Sequence, residues 1–368
     1  MPLRAVARVD LAAIERNAAR LADVAAPAVL CAVVKADAYG HGLLPCARAA
    51  QAGGAAWLAV ATAEEARGLR AGGVEGPLLV MGALSEPELE LALAAHADVV
   101  AWREAFVEDL AARPGAEGTG VHVKLDSGMG RLGTRDPGEA GRVAEMVSAQ
   151  PRLRLAGAMT HFATADDDPD FLREQLDVFE PWARAVEAAH PGILVHAANS
   201  AATLRVPASR FGLVRCGLAL YGMDPFHGDP AEHGLEPALS LRSYVAEVKR
   251  AEPGQSAGYG RRFVAAEPTW VGTLPIGYGD GVRRGLTNNG DVLVEGRRVP
   301  IAGAVSMDNI TVDLGDRPVP RGTEAVLIGR QGDERILAEE VAERLGTINY
   351  EVTCGISARV PRDHVSAG

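Results

Sequence analysis

The sequence predicts an α/β protein in which a (β/α)8 barrel is followed by a smaller C-terminal β domain. Between Asp10 and about Gly222, short apolar runs alternate with amphipathic segments of helical periodicity. Eight of these runs are apolar enough to be buried on both faces, as strands of parallel sheets are. Beyond Gly222 the runs are shorter and richer in β-branched residues, with turns spaced as in an all-β domain.

The barrel prediction depends on eight strands and the segments between them. The predicted strands are Val29–Lys35, Trp57–Ala61, Pro77–Gly82, Asp98–Trp102, Val121–Asp126, Leu155–His161, Ile193–Ala197 and Gly212–Cys216. Helical spacing fills the intervals, as in Glu139–Ala149 and Phe171–Ala189, and Thr62 and Ser85 each begin the S/T-x-x-E pattern of a capping box. A doubly wound open sheet is the competing arrangement. The count of eight and the lack of a G-x-G-x-x-G motif after the first strand disfavour it.

The second domain is predicted to be mainly β structure with one helix. Its candidate strands are Ser243–Lys249, Trp270–Pro275, Asp291–Val294, Asn309–Asp313 and Glu324–Ile328. The helix is expected near Leu337–Arg344. Glycine and proline breaks among polar residues indicate a linker over Met223–Gly234, so the predicted domains are residues 1–228 and 229–368.

Composition restricts the classes of function. The formal net charge of −11 argues against a nucleic-acid-binding surface. The four cysteines lie apart without C-x-x-C spacing, so no metal site is expected. No apolar run reaches the ~18 residues that a membrane span requires, and the N-terminus lacks the apolar core of a secretory signal. We therefore expect a soluble cytoplasmic protein without nucleic-acid or membrane partners.

The most informative segment follows the first predicted barrel strand. An apolar run ends abruptly in Lys35, and Tyr39, Gly40 and Gly42 follow within seven residues. A strand that delivers a lysine to a glycine-rich loop suits an amine that holds a cofactor aldehyde as a Schiff base. A solitary lysine at a strand end is more commonly only solvated, so the rest of the chain decides between the two interpretations.

Further polar residues follow the other predicted strands, at the ends where barrel enzymes carry their chemistry. In chain order these are Lys124, Asp126, the loop Ser127–Gly133, His161, Asn199, Ser200, Arg215 and Gly217. Each has an ordinary structural interpretation. His161 fits a buried core histidine, and Asn199 with Ser200 fits a helix cap, which is also an anion site. Their common position at one face of the barrel favours a functional site.

Three loops of the second domain are unusually compact. Tyr259 lies between two glycines, a costly position unless the backbone closely approaches another group. The loops Leu274–Gly281 and Gly303–Asp308 contain Tyr278 and Met307. Taken alone, each loop is interpreted as a structural turn.

Together these segments resemble the alanine racemases, pyridoxal-phosphate enzymes with a barrel and a C-terminal β domain. The matching segments, in the same order, are Val33–Gly42, Lys124–Gly133, Thr160–Phe162, Asn199–Ser200, Arg215–Gly222, Gly258–Gly260, Ser306–Asp308 and Ile348–Glu351. Asp37 and Cys216 occupy motif positions where the family often has other residues. The resemblance covers essentially the whole chain. It implies an isomerase that interconverts L- and D-alanine and supplies D-alanine for the peptidoglycan of the cell wall.

The resemblance also implies how pyridoxal 5'-phosphate is bound. Lys35 carries the cofactor, and Asn199 belongs to its binding site. The residues implied to hold the phosphate are Tyr39, Ser200, Gly217, Leu218 and Tyr350. Arg131 is implied to bind both the phenolic oxygen and the substrate, and Arg215 the pyridine nitrogen, with His161 hydrogen-bonded to Arg215. Because arginine stays protonated, Arg215 can only donate to that nitrogen, which makes the ring a weaker electron sink and limits side reactions.

Racemisation moves a proton from one face of Cα to the other, so two bases on opposite faces are the direct solution. By the resemblance, Lys35 acts on D-alanine and Tyr259 acts on L-alanine. Free tyrosine has a pKa near 10, so nearby positive charge has to make its ionisation easier.

The family's head-to-tail homodimer implies that part of each site comes from the neighbouring subunit. Tyr259, Met307 and Asp308 would act in the partner's site, where Met307 contacts the substrate. Tyr278 and Lys124 have supporting roles. Lys124 is expected to be carbamylated, because its counterpart in some family members carries that modification and a carbamate could pair with Arg131.

Three alternatives stay open at the level of sequence. A racemase with a broader substrate range fits the same motifs, because the shape of the pocket wall decides side-chain tolerance. A decarboxylase of similar architecture would be expected to have a carboxylate at the pyridine nitrogen, where this chain has Arg215. A non-catalytic pyridoxal-phosphate-binding protein on the same barrel would not need the domain that contains Tyr259.

Overall fold

The computed structural model describes residues 3–366 and begins with a short strand, β1 (Val6–Asp10), that precedes a parallel barrel. The barrel strands are β2 (Val29–Val33), β3 (Trp57–Val60), β4 (Leu78–Val80), β5 (Asp98–Ala101), β6 (Thr119–Lys124), β7 (Leu153–Met159), β8 (Leu194–His196) and β9 (Leu213–Cys216). Each boundary lies within two residues of the predicted one. The side chains of these strands are almost all buried, as expected when both faces of a sheet are covered.

The order of the strands confirms the predicted barrel. Neighbours from β2 to β8 pair in chain order, and β9 pairs with β2, so eight parallel strands form one continuous sheet. At the remaining seam the backbone N–H of Gly212 donates to the carbonyl of Val195 at 3.0 Å, and that of Arg215 donates to Ala198 at 2.9 Å. These bonds nearly close the barrel. Because all eight strands are parallel, their C-terminal ends lie at one rim.

Nine helical segments connect or follow these strands within the described residues. They are α1 (Leu11–Ala25), α2 (Lys35–Gly40), α3 (Leu43–Ala52), α4 (Ala63–Ala71), α5 (Glu86–Ala94), α6 (Glu104–Ala112), α7 (Pro137–Ala149), α8 (Pro169–Ala189) and α9 (Ser200–Arg205). Both predicted capping boxes form at the starts of α4 and α5. A proline suits the first turn of a helix and begins both α7 and α8 two residues before the predicted start. Across residues 3–366, none of the helices has the length and apolarity to cross a membrane.

The C-terminal part is mainly β structure, as predicted. Its strands are β10 (Leu239–Tyr244), β11 (Glu247–Ala251), β12 (Ser256–Ala257), β13 (Phe263–Val264), β14 (Thr269–Leu274), β15 (Asp291–Val294), β16 (Arg297–Pro300), β17 (Ile310–Gly315), β18 (Glu324–Gln331), β19 (Glu334–Ile336) and β20 (Arg362–Val365). The predicted helix is α10 (Ala338–Leu345), and a second helix, α11 (Asn349–Cys354), follows it. The helix α11 was not predicted, because six residues are too few to show a helical period.

One predicted strand of this part is wrong. Residues 243–249 form the end of β10 and the start of β11, with Val245 and Ala246 between them. The strand β10 pairs with β1 and β18, whereas β11 pairs with β14 in a different sheet. The chain therefore has to turn where it passes from one sheet to the other, and alternating apolar residues alone do not reveal such a turn.

The N-terminal strand β1 lies in the sheet of the C-terminal part. It pairs antiparallel with β10, where Val9 faces Leu239, and parallel with β20, where Arg8 faces Asp363. The strand β20 continues from the segment that contains α11. This sheet therefore ties both ends of the described chain to the barrel, because α1 and the first barrel strand follow β1 directly.

Candidate active site

Five of the predicted site residues lie close together at the C-terminal rim of the barrel: Lys35, Lys124, Arg131, His161 and Arg215. Burial and the four positive side chains hold the pKa of His161 well below its ordinary value. Burial, followed by the charge of Arg131, also lowers the pKa of the half-buried Lys35 amine. We call these five residues the barrel face. Its concentration of positive charge suits an anionic ligand.

The backbone after Lys35 forms a left-handed turn. The four residues that follow it, from Ala36 to Tyr39, have φ angles between 52° and 55° although none is glycine, and Gly40 follows at 83°. An L-residue in this conformation costs roughly 1–2 kcal/mol. The sequence predicts a glycine-rich loop here but not the turn, since Ala and Tyr carry no signal for positive φ. Strain of this kind persists only where the surroundings fix it.

Hydrogen bonds fix the left-handed turn at both ends. The N–H of Ala38 donates to the carbonyl of Val34 at 2.9 Å, and the N–H of Gly42 donates to the carbonyl of Asp37 at 2.9 Å. The Asp37 carboxylate accepts from the N–H of Leu43 at 2.8 Å, where α3 starts. The turn therefore carries the backbone from the rim of β2 directly into a regular helix.

A cradle of small residues forms beside this turn, where α9 and the segment after β9, the neighbour of β2, meet. The side chain of Asn199 caps α9 by accepting from the N–H of Ala202 at 3.0 Å, as predicted. The hydroxyl of Ser200 accepts from the N–H of Gly217 at 3.1 Å and from the N–H of Ala219 at 3.3 Å. The two amide hydrogens therefore point to one place, and an anion bound there would replace the Ser200 hydroxyl as their acceptor, as in anion-binding loops of proteins.

Tyrosine side chains border the cradle. A Cβ atom on Gly217 would lie 2.2 Å from the hydroxyl oxygen of Tyr39, so this position excludes any larger residue. The ring of Tyr350 lies 5.9 Å from that of Tyr39, and the buried Leu218 follows Gly217 directly. Burial raises the pKa of Tyr350 to about 12 and raises that of Tyr39 further. Both phenols therefore stay neutral and can donate hydrogen bonds.

The guanidinium of Arg215 is only 3% exposed and has partners on two of its three nitrogens. One terminal nitrogen donates to Nδ1 of His196 at 2.8 Å. The other donates to the carbonyls of Thr160 and Ala197 at 2.7 and 2.9 Å, and to Nδ1 of His161 at 3.2 Å. No acceptor within residues 3–366 binds its Nε. Burial lowers the pKa of Arg215 to about 10, so the side chain keeps its charge at neutral pH.

A chain of hydrogen bonds continues from Arg215 into the barrel. Because Nδ1 of His196 accepts from Arg215, its Nε2–H donates to Nδ1 of His122 at 2.8 Å, and Nε2–H of His122 donates to Asp98 at 3.4 Å. Burial raises the pKa of the Asp98 carboxyl, but hydrogen bonds from His122 and Arg154 outweigh burial and hold it below its ordinary value. Sequence reasoning missed this chain, because a histidine within an apolar strand is typical of an ordinary core.

Lys124 ends β6 and is buried beside two other cations. Burial, then the charges of Arg215 and Arg131, lower the pKa of its amine to about 8. The neighbouring Asp126 carboxylate already accepts from the N–H of Gly130 at 3.0 and 3.1 Å, so it supports the glycine-rich loop. Lys124 is therefore a buried amine near two arginines, and it loses its proton at a lower pH than an ordinary lysine.

The predicted residues of the second domain form a separate, exposed group. Tyr259, Tyr278 and Met307 are 75%, 44% and 52% exposed, and they share one depression with Asp308. Every described residue that lines it comes from the C-terminal part. The carboxylate of Asp308 accepts from Arg359 at 2.7 Å. We call Tyr259, Tyr278, Met307 and Asp308 the tyrosine face. The structure of a single chain does not bring it to the barrel face.

Two family profiles match the chain in order. The alanine racemase N-terminal domain matches residues 9–225, and the alanine racemase C-terminal domain matches residues 238–364. Together they cover well over half of the chain, and the interval between them, residues 226–237, overlaps most of the predicted linker.

Individual relatives match over nearly the full length. An alanine racemase from Geobacillus stearothermophilus is 42% identical over 361 residues, which cover 97% of this chain and 92% of that protein. The solved alanine racemase of a D-cycloserine-producing Streptomyces lavendulae superimposes with a TM-score of 0.94 at 37% identity, covering 100% of this chain and 98% of that one. The alanine racemase from Bacillus anthracis, solved with bound L-Ala-P, has a TM-score of 0.89 at 38% identity, with 99% and 96% coverage.

Proposed function

The chain belongs to the alanine racemase family and is an isomerase of that kind, and we propose that it interconverts L- and D-alanine with pyridoxal 5'-phosphate and two bases, Lys35 and Tyr259. The observation that carries the proposal is on the barrel face. A lysine amine of lowered pKa shares this rim with a buried arginine whose Nε has no partner among residues 3–366.

The residues present fit the cofactor. Pyridoxal phosphate needs an amine for its aldehyde, donors for its phosphate and a partner for its ring nitrogen. Lys35 supplies the amine. The phosphate is assigned to the amides aligned by Ser200 and to the neutral phenols, that is, to Tyr39, Ser200, Gly217, Leu218 and Tyr350, with Asn199 capping α9 beside them. The bare Cα of Gly217 lets the hydroxyl of Tyr39 approach this loop closely.

The two arginines are assigned to the ring of the cofactor. Arg215 offers Nε to the pyridine nitrogen, while one terminal nitrogen is fixed by His196 and the other by backbone carbonyls and His161. Arg131 is assigned to the phenolic oxygen and to the carboxylate of the substrate. Since Arg215 stays protonated, it donates a hydrogen bond to the ring nitrogen and does not give it a full proton. This favours racemisation over reactions that need a stronger electron sink.

Lys35 and Tyr259 are assigned to the proton transfers. When bound, pyridoxal phosphate supplies the electron-withdrawing ring that makes the proton on Cα acidic. With D-alanine, the neutral Nζ of Lys35 removes that proton and the Tyr259 hydroxyl delivers its own proton to the opposite face of Cα. With L-alanine, the ionised oxygen of Tyr259 removes the proton and the protonated Nζ of Lys35 delivers one. The lowered pKa of Lys35 raises the share of neutral amine that can accept a proton.

The second base is proposed to come from the partner of a head-to-tail homodimer. Support comes from the exposed tyrosine face. All described residues that line it belong to the C-terminal part. In this proposal Met307 contacts the substrate, while Asp308 and Tyr278 support the loops around it. We further propose that residues 1–228 and 229–368 are the two functional units. The enzyme is proposed to act in the cytoplasm, and its D-alanine to be used for the cell wall.

Two experiments test the proposal. Racemisation of alanine, serine and lysine by the purified protein, followed by circular dichroism, should favour alanine. Equal rates on all three would replace the proposal with a racemase of broad range. The chain has only three lysines, Lys35, Lys124 and Lys249. Borohydride reduction followed by peptide mass spectrometry should therefore place the cofactor on Lys35, and a label on another lysine would overturn the assignment.

A further inference from the structure

The carboxylate of Glu65, which lies outside the assigned site, holds two elements at once. One oxygen accepts from the backbone N–H groups of Ala61 and Thr62 at 2.9 and 3.1 Å and completes the cap of α4. The other oxygen accepts from the N–H of Ala36 at 2.6 Å. Ala36 directly follows Lys35 and begins the left-handed turn. A single side chain therefore joins the first amide of that turn to the neighbouring β–α loop.

The next barrel helix offers a matched comparison. Glu88 occupies the same position in the capping box of α5, and its carboxylate accepts from the N–H and the hydroxyl of Ser85 at 2.9 and 2.7 Å. Within residues 3–366 it has no further backbone donor. The bond from Ala36 to Glu65 is thus an addition to an ordinary cap, and capping alone does not explain it.

The position of this bond connects it to Lys35. The strands β2 and β3 are neighbours in the barrel, with Val33 opposite Ala59, so the turn after β2 lies beside the loop that starts α4. The turn contains four strained non-glycine residues and needs external partners to keep its shape. Glu65 supplies such a partner at the residue next to Lys35, and it contributes a negative charge that acts on the Lys35 amine.

We propose that Glu65 is a positioning residue for Lys35. Its carboxylate fixes the amide of Ala36 and, through it, the point from which the Lys35 side chain leaves the backbone. The inference rests on the proposed role of Lys35 in holding pyridoxal phosphate and transferring a proton. It extends that role to a residue that touches neither cofactor nor substrate.

The test compares Glu65→Gln with Glu88→Gln in the full-length holoprotein. Glutamine keeps one acceptor oxygen for the two cap amides and turns an NH2 group towards the N–H of Ala36, so the cap survives and the added bond is lost. We expect pyridoxal phosphate, titrated by absorbance, to bind between about tenfold and a hundredfold more weakly in Glu65→Gln, as for the loss of one charge-assisted hydrogen bond. Glu88→Gln should bind it like the wild type.

Two further readouts separate positioning from general weakening. Hydrogen exchange of the peptide covering residues 29–42 should be faster in Glu65→Gln and unchanged in Glu88→Gln. The primary deuterium isotope effect should rise with α-deuterated D-alanine and fall with α-deuterated L-alanine, because only the transfer to Lys35 is slowed. A variant that only destabilised the fold would not move the two isotope effects in opposite directions.

Thr62→Ala is the second variant, because it removes the hydroxyl that caps α4 and leaves the Glu65 carboxylate in place. It should retain the cofactor like the wild type. Equal cofactor loss in Thr62→Ala and Glu65→Gln would assign the effect to the cap and overturn the inference. So would wild-type affinity in Glu65→Gln, or rapid exchange of the Ala36 amide in the wild type. A borohydride label that is absent from Lys35 of the wild type would instead overturn the proposed function.

Discussion

The barrel face and the tyrosine face differ in how completely a single chain builds them. On the barrel face, Arg215 is 3% exposed and fixed by backbone carbonyls and histidines, and the cradle around Ser200 is already formed. On the tyrosine face, Tyr259 is 75% exposed and projects from a short loop between glycines. The first face is partly buried and fixed by residues of its own chain, whereas the second is an exposed surface.

The difference in charge supports the same division. Four cationic side chains lie within electrostatic range of His161 on the barrel face, so this face attracts anionic groups. The tyrosine face has an acidic residue, Asp308, which is already paired with Arg359. Binding is therefore assigned to the barrel of one subunit, and the second proton-transfer group to the loops of the other.

The largest expected effects come from two single variants, each of which removes the proposed base of one face. Lys35→Ala should abolish racemisation and covalent attachment of the cofactor. Tyr259→Phe should lower the rate by between about 10²- and 10⁴-fold, the usual share of a positioned acid–base group, and leave the attached cofactor intact. Racemisation followed by circular dichroism gives the rates, and the visible absorbance gives the attachment.

Mixing the two variants tests whether the faces meet between subunits. With free exchange, about half of the dimers are mixed, and each mixed dimer has one intact site, so activity should recover to about a quarter of the wild type per total site. Native mass spectrometry confirms the mixed dimers. If they form without recovery of activity, Tyr259 serves its own subunit and the head-to-tail arrangement is wrong.

The second prediction concerns the interior support of the barrel face. Asp98→Asn removes the negative end of the chain that runs through two histidines to Arg215, and should cost about 1–3 kcal/mol in the free energy of unfolding. Asp109→Asn, on the surface beside Arg113, is the matched control and should cost less than about 0.5 kcal/mol. Urea unfolding measures both, and equal costs would show that the buried chain is energetically unimportant.

The pH dependence of this cost has a definite sign. The pKa of Asp98 is lower in the folded protein than its ordinary value of about 4. The carboxylate therefore stabilises the fold fully above the unfolded value, and the stabilisation disappears as the pH falls through the folded one. The difference between wild type and Asp98→Asn should be constant at neutral pH and shrink below about pH 4.

These features also show what the sequence could and could not predict. The barrel strands were predictable because each is apolar on both faces, and the grouping of Lys35, His161 and Arg215 followed from their places at strand ends. The chain through His122 and His196 was not predictable. Its meaning depends on which strands are neighbours, and β6, β7 and β8 bring these histidines together only in the folded barrel.

Long-range pairing limited the prediction in the second domain as well. The segment 243–249 alternates like one strand, but its two halves bind different partners, β18 and β14. The strand β1 is short, and its partners β10 and β20 lie far away in sequence. The segment 243–249 was correctly predicted to be β structure, whereas β1 was not predicted at all. In both cases the tertiary partners decide where the strands begin and end.

The third prediction concerns Lys124, the barrel-face cation that carbamylation would turn into an anion. With its pKa lowered to about 8, the amine should react with carbon dioxide to form a carbamate that pairs with Arg131. Carbon-13 NMR with labelled bicarbonate should show one carbamate above about pH 8. The signal should decline as the pH falls and the amine takes up a proton.

The two other lysines provide the controls for this experiment. Lys124→Ala should lose the signal and about tenfold in activity, comparable to one charge-assisted contact. The exposed Lys249 should contribute no signal, so Lys249→Arg should leave the spectrum unchanged. A carbamate signal that survives Lys124→Ala would mean that another amine is modified.

The smallest expected effect concerns the backbone strain in the left-handed turn after Lys35. Ala36 has a φ of 54° and an exposed side chain, so Ala36→Gly removes the steric cost of the left-handed conformation and little packing. The relief of roughly 1–2 kcal/mol is offset by the extra entropy of glycine in the unfolded chain, which leaves a net stabilisation of about 0.5 kcal/mol. Ala19→Gly, at an exposed position inside α1, should instead destabilise the fold by about 1 kcal/mol.

Opposite signs for the same substitution, measured by urea unfolding, would show that the left-handed turn stores strain that α1 does not. Destabilisation of equal size at both positions would mean that the turn is relaxed and that the barrel face is held by its hydrogen bonds alone. The racemisation rate of Ala36→Gly is the second measurement. Because glycine widens the range of directions open to Lys35, Ala36→Gly should racemise alanine more slowly although it is the more stable protein. The turn would then be retained for the placement of Lys35 at the expense of stability.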